Sequence, residues 1–167
     1  MSPSRPHLPY PGRAPKGRAL LFERLVDDEP ERTAEPAPFR VVDERGMLDS
    51  ISRELSWLLN TRAPLSVRSD YAAPFRSTVD YGGPDVGRSG ERNREELLAV
   101  AQEIAATVTA FEPRLTSVTV AVDWATLKNR RVAMELSALM RFARIMLPVS
   151  FAIYLDGDGQ AEVGHGR

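Results

Sequence analysis

The sequence predicts an α+β domain: N-terminal amphipathic helices followed by a small antiparallel β-sheet of about three strands. Three observations carry this. The chain of 167 residues is 43% hydrophobic, enough for one core of ordinary size and unlike a disordered composition. Apolar residues recur with a helical period up to Phe111. Beyond Pro113 the apolar period changes to two, the spacing of strands with one buried face.

Of the 13 prolines, five fall at Pro3, Pro6, Pro9, Pro11 and Pro15. Proline fixes φ and offers no amide donor, so residues 1–18 read as a disordered, extended tail. A ligand for a proline-binding groove is the other reading of "PHLPYP", and a solvated tail fits it better. The tail lacks the apolar stretch of a secretory signal. Next, "RALLFERLVDD" spaces Leu20, Leu21, Phe22 and Leu25 for one short amphipathic helix, which must dock to persist. Residues 27–38, "DDEPERTAEPAP", read as a solvated acidic linker.

A second helix lies within "DERGMLDSISRELSWLLNTR". Leu48, Ile51, Leu55 and Leu58 or Leu59 form its apolar face, with Ser50, Ser52, Arg53 and Glu54 mainly off it and Trp57 packed at its edge. Asn60 reads as its C-terminal cap, and Pro64 prevents continuation. Residues 61–90 are rich in proline and glycine, and a loop of that length inside a domain is usually functional. The third helix is the most regular: Leu97, Ala101, Ile104, Val108 and Phe111 share one face, and Asn93 with Glu96 form a capping box.

Three strands follow. Val118, Val120 and Val122 alternate with Thr119 and Ala121. Val132, Met134, Leu136, Ala138 and Met140 alternate with Ala133, Glu135 and Ser137. Val149, Phe151 and Ile153 alternate with Ser150, Ala152 and Tyr154. The middle run is made of helix formers, and its alternation selects strand. The domain is expected over 19–155, with the glycine-rich residues 156–167 as a frayed, flexible tail. So small a sheet leaves at least one edge open to a strand from a partner.

Composition narrows the chemistry. A net charge of −1 argues against a nucleic-acid partner. Cysteine is absent, which excludes disulfides, thiolate nucleophiles and cysteine-ligated zinc. His7 and His165 lie in the terminal segments, so no histidine metal site or triad is expected, and no cofactor is implied. No apolar run approaches membrane-spanning length. There is no GxSxG, GxGxxG or phosphate-cradling loop, and "DGDGQAE" reads as a turn rather than a calcium loop. A glycosidase would need paired carboxylates. Glu112, Asp80, Asp85 and Asp123 are candidates, but a chain with 23 acidic residues offers such pairs by chance.

The stretch "FEPRL" at 111–115 sets Glu112 where the third helix ends, breaks it with Pro113 and opens the first long strand with Arg114. A Glu there opposes the negative end of the helix dipole, at a cost of a few tenths to about 1 kcal/mol. It is either a stop signal with an incidental Glu–Arg pair or a polar hook for a partner.

"FEPRL" after a helix and before a strand resembles the Glu-Pro-Arg motif of the baseplate wedge proteins of contractile phage tails and of their type VI secretion relative, TssE. Two more stretches agree in order. "LLNTR" at 58–62 resembles the end of the family's first helix, and "STVDYGGPDV" at 77–86 its S-V-x-N-Y-G-x-P-D segment. "RALLFERL" resembles the leucine-rich opening of TssE, so the likeness spans roughly 18–155. The chain departs from the family at Asp80, usually Asn, and at Gly83, usually apolar.

Members are often labelled lysozyme-like yet resemble assembly proteins. The resemblance implies a non-enzymatic, cytoplasmic wedge subunit that works with TssF, TssG and TssK and accepts strands from the sheath proteins TssB and TssC. The partner-binding residues it implies are Glu112, Pro113, Arg114, Tyr81, Gly82, Pro84 and Asp85, and Arg114→Ala is expected to keep the fold and lose assembly. The alternatives are a muralytic glycosidase using Glu112 with Asp85 or Asp123, and a wedge protein of a phage or extracellular injection machine.

Overall fold

The computed structural model describes residues 16–25, 31, 41–63, 77–84, 93–125 and 131–166. In chain order these form β1 (Gly17–Arg18), α1 (Leu21–Leu25), β2 (Val41–Val42), α2 (Glu44–Asn60), a 3-10 turn (Thr78–Asp80), α3 (Arg94–Phe111), β3 (Leu115–Asp123), β4 (Val132–Phe142), β5 (Ile145–Leu155) and β6 (Ala161–His165). The α+β class holds. The acidic linker apart from Glu31, most of the 61–90 loop and Asp85 lie outside the described residues.

Each main helix starts on a side-chain cap. Asp43 Oδ1 accepts from the Gly46 amide at 2.8 Å and opens α2. Asn93 and Glu96 make the expected capping box on α3: the Glu96 amide donates to Asn93 Oδ1 at 2.8 Å and the Asn93 amide donates to Glu96 at 3.3 Å. The two helices bury Ile51, Leu55, Leu97 and Val108 completely, against Leu136 and Phe151 of the sheet. Enclosing one such side chain stabilises the fold by about 1.5 to 3 kcal/mol. Two expectations for α2 need correction. Ser50, placed off the apolar face, is buried, and Trp57 is 51% exposed rather than packed.

β1 pairs with β2 in a two-stranded ribbon, so Gly17 and Arg18, expected in the tail, form a strand, while residues 1–15 of that tail lie outside the described residues. α1 is only five residues long, and Leu21 and Leu25 are 66% and 72% exposed. The docking expected for those two side chains does not occur within the described residues.

The large sheet has the order β3-β4-β5-β6, all antiparallel. β4 is a strand, as its alternation predicts, with Val132, Met134, Leu136, Ala138, Met140 and Phe142 buried toward the helices. β3 carries a bulge: Thr116 pairs with Leu139 but Thr119 with Ser137, and Ser117 between them has φ 53°. The extra residue lets Leu115 and Val118, of opposite parity, face the same core.

The sheet has four strands rather than about three. The glycine-rich segment expected to fray instead turns and returns as β6. Asp156 Oδ1 accepts from the Asp158 amide at 2.9 Å and the Gln160 amide at 2.8 Å, and Gly159 supplies φ 79°. Asn60 then holds the strand. It is the last residue of α2, and its amide bonds Ala161 at both nitrogen and oxygen, each at 2.8 Å.

The β4–β5 hairpin turns on Ala143 and Arg144, with Ala143 at φ 53°. A side chain in the left-handed region costs about 1 to 2 kcal/mol, part of which glycine gives back through its freer unfolded chain. Ala143→Gly should therefore raise stability by about 0.5 to 1 kcal/mol, read as a higher urea midpoint at unchanged slope.

Candidate docking site at the helix-to-strand joint

α3 stops because Pro113 disfavours helical geometry at Glu112. The Glu112 amide still donates to Val108 O at 2.9 Å, and the Leu115 amide donates to Glu112 O at 3.1 Å, closing a tight turn. The Arg141 amide donates to Arg114 O at 2.8 Å, so the sheet begins at once.

The Glu112 side chain folds back under this turn and the residue is 4% exposed. Its carboxylate accepts three N–H groups from Arg114: the backbone amide at 3.1 Å, Nε at 2.7 Å and Nη2 at 2.5 Å. Arg114 Nη1 donates to Ser50 Oγ at 2.8 Å and lies 3.8 Å from Met47 Sδ, both on α2. The guanidinium thus fixes the α3–β3 joint to the middle of α2. The unfavourable placement of an acid at a helix C-terminus is offset by this two-point pairing. The expectation that Arg114→Ala keeps the fold is revised, because the group points inward and supports packing. Ser50 is the partner that sequence reasoning missed. It lies three residues beyond Met47, on the buried face, and that spacing was the available signal.

Next to this clamp lies the segment 81–84. The Gly83 amide donates to Thr61 O at 2.8 Å and the Ala63 amide to Gly83 O at 3.4 Å, joining the loop to the end of α2. Gly82 has φ +141°, which only glycine adopts readily, and Pro84 is buried. The departure at Asp80 has a local use: the carboxylate accepts from the Ser77 amide at 2.7 Å and Ser77 Oγ at 3.1 Å. At Gly83 a Cβ would lie 3.0 Å from Leu59 O, so the chain has little room there for the apolar residue usual in the family.

Tyr81 packs edge-on against Phe111, with ring centroids 5.4 Å apart at 72°. The three stretches singled out in the sequence therefore meet in one place. Between them lies an open cavity of about 140 Å³, lined by Leu20, Leu58, Tyr81, Phe111, Pro113 and Arg114 among others. That is room for one partner side chain of about the size of benzene.

Burial pushes the Tyr81 phenol above its ordinary 10.0, and the nearby charges of Glu54 and then Glu112 push it the same way. The stability gained by keeping this phenol neutral is complete below pH 10 and is lost as the pH rises toward the raised value. A phenol ionisation above the ordinary 10.0 should appear when absorbance is followed at alkaline pH, and Tyr81→Phe should remove that step.

Of the two glycosidase pairings expected for Glu112, the one with Asp85 lies outside the described residues and the one with Asp123 is too wide. The Glu112 carboxylate is engaged by Arg114, and Asp123 closes the strand that Leu115 opens, roughly 25 Å away at about 3.3 Å per residue. Paired catalytic carboxylates stand about 5 to 10 Å apart.

No described helix is long and apolar enough to cross a membrane. No curated protein and no solved structure matches the chain. A family model described as baseplate wedge protein gp25 matches residues 45–144, from α2 to the β4–β5 turn, a span narrower than 18–155 that contains all three motifs. That span is more than half of the 167 residues, and the chain belongs to the baseplate wedge protein gp25 family.

Proposed function

We propose that this chain is the TssE-like wedge subunit of a type VI secretion baseplate: a structural, non-enzymatic, cytoplasmic protein. Family membership gives the coarser part of this reading, a baseplate role in a contractile, phage-like machine. The observation that carries the rest is the convergence of the α2 end, the 81–84 loop and the Glu112-Pro113-Arg114 joint around one open cavity. The joint is fixed from within by Glu112, Arg114 and Ser50, so the cavity is preorganised rather than formed on contact.

In this reading the cavity and the exposed Pro113 dock on the helical core of a wedge built by TssF and TssG, beside TssK. Tyr81 lines its wall, Gly82 and Pro84 hold the loop that carries it, and Asp85 follows them in the sequence. The sheet receives strands from TssB and TssC and starts the sheath. A baseplate subunit of this kind needs no cofactor.

The test is a pull-down of the tagged chain with TssF and TssG, wild type beside Leu20→Glu. Leu20 lines the cavity outside the main helices, so the variant should keep its circular dichroism and lose its partners at least tenfold. Equal recovery of partners by the variant would remove the cavity as the docking site. Capture of phage-type wedge proteins in place of TssF and TssG would move the chain to a phage tail, and cleavage of purified peptidoglycan would overturn the non-enzymatic reading.

A further inference from the structure

We infer that the chain's own proline-rich N-terminal segment, residues 9–15, seats in the open cleft between the start of α2 and β5, with Arg13 held by the carboxylates of Glu44 and Glu135. The inference is independent of the wedge reading. The family match over residues 45–144 includes neither this segment nor Glu44, β5 or β6.

The cleft opens where β6 stops. β6 pairs with β5 only from Phe151 to Leu155, and the Gly166 amide closes the ladder on Ser150 O at 2.9 Å. Past that point β5 faces the first turns of α2 across a cleft of about 610 Å³, lined by Glu44, Leu48, Glu135, Pro148, Val149 and His165 among others. Among the lining residues only His165 can carry a positive charge, and its Nε2 lies 3.1 Å from Asp49 Oδ1. Glu44 and Glu135 are exposed, and neither has a hydrogen-bond or ion-pair partner among the described residues. The walls are thus apolar at Leu48, Pro148 and Val149 and carry two unpaired negative charges. Such a cleft suits a cation on an apolar stem.

The cleft does not extend the sheet. In an antiparallel strand alternate residues turn their amides to the same side, and Ser150 turns toward β6. Pro148 therefore sets a ring where the next outward amide would stand. An occupant in the polyproline conformation needs no ladder of hydrogen bonds.

The segment that meets these demands starts at the mouth of the cleft. Gly17 pairs with Val42 and Arg18 with Val41, so the antiparallel register carries Lys16 beside Asp43, one residue before Glu44. The root of the segment is fixed, because Gly17 is buried against Phe142 and Met47. Residues 1–16 contain Arg5, Arg13 and Lys16 and no acid, while the whole chain has a net charge of −1, so the rest of the chain is acidic. The stretch Pro9–Pro15 reads "PYPGRAP". At about 3.1 Å per residue in the polyproline conformation, its seven residues span roughly 22 Å. The step along β5 from Pro148 to Ala152, the partner of Glu135, is only about 14 Å at about 3.4 Å per residue. The segment reaches both acids. So short a tether also gives it a local concentration in the millimolar range, which lets individually weak contacts hold it.

The chain has no cysteine, so Tyr10→Cys offers one attachment point for a nitroxide. The experiment reads the broadening of backbone amide signals in the full chain, before and after the nitroxide is reduced. The comparison variants are Arg13→Glu and the pair Glu44→Gln with Glu135→Gln. The label should broaden Leu48, Glu135, Ser137 and Val149. Arg13→Glu should weaken that broadening roughly tenfold by turning attraction into repulsion, and the paired glutamines should weaken it in the same direction. Arg13 lies outside every described element, so an effect of Arg13→Glu with the remaining amide signals in place is not unfolding. Broadening confined to Lys16, Gly17 and their ribbon partners, or broadening of the cleft that Arg13→Glu leaves unchanged, overturns the inference. Broadening carried from a spin-labelled copy to an isotope-labelled copy without a nitroxide gives the cleft to the segment of a second molecule and overturns it as well.

Discussion

Arg114→Ala lowers the unfolding free energy by about 3 to 5 kcal/mol, the cost of leaving one member of a buried ion pair without its partner. Against a total of about 5 to 15 kcal/mol for a domain, that is a large share. The side chains of Arg114 and Glu112 are 12% and 6% exposed, so water compensates little for the lost contacts. The truncation leaves the Glu112 carboxylate with one N–H, the backbone amide of residue 114, in place of three. It also strands Ser50 Oγ on the buried face of α2.

The comparison variants separate pairing from packing. Ser50→Ala removes one hydrogen bond to a charged donor and should cost about 1.5 to 3 kcal/mol. In the Arg114→Ala background the same change should cost almost nothing, because the bond is already gone. Arg114→Lys keeps the charge but loses the fork, and should fall between wild type and alanine. Urea unfolding of the four proteins measures all of this. A wild-type midpoint for Arg114→Ala would mean that the clamp contributes nothing to the fold, and Arg114 would return to the role of a hook for a partner.

The consequence for function is direct. If Arg114 holds the joint, an assembly defect in Arg114→Ala reports a lost platform as much as a lost contact. The cavity rim, Leu20 and Pro113 above all, is the place to look for contacts made only in the wedge.

The helices and the long strands were legible because their signals are periodic. Leu97 to Phe111 kept one helical face, and the alternation in β4 outweighed helix-forming residues since both of its neighbours impose a pleat. Other features depended on partners distant in sequence. β6 was missed because its glycines suggested fraying, while the residues that hold it, Asn60 and Ser52, lie about a hundred positions earlier. Asn60 reads as a cap in the sequence, and it does bond back to Ser56 O at 2.8 Å, but its larger task is across space. The joint was legible as an anomaly, a Glu where the helix dipole disfavours it. The inward direction of Arg114 was not, since the spacing that puts Ser50 on the buried face of α2 does not by itself name Arg114, 64 positions later, as its donor.

Gly82→Ala should cost about 3 kcal/mol or more, and the reasons are separable. The backbone at φ +141° lies outside the regions open to a side chain, and holding a non-glycine residue in such a state costs about 1 to 3 kcal/mol. The added Cβ would also lie 2.5 Å from the Ala63 nitrogen and 2.7 Å from Thr61 O. Both are backbone atoms just past the end of α2, where no side chain can swing aside, so relief requires moving the chain and costs a further 1 to 3 kcal/mol or so. The movement breaks a specific set of contacts. Gly83 would leave Thr61 O, and Tyr81 would leave the edge of Phe111, opening the wall of the cavity. Gly82→Ala should therefore lose stability and the proposed TssF–TssG binding together, and the raised ionisation of Tyr81 should relax toward the ordinary phenol value. Gly157→Ala is the control, since a Cβ there meets nothing within 4 Å and the change should stay within about 0.5 kcal/mol. A Gly82→Ala protein as stable as wild type, with Tyr81 still titrating late, would show that the loop has room the geometry denies and that the cavity wall does not depend on this glycine.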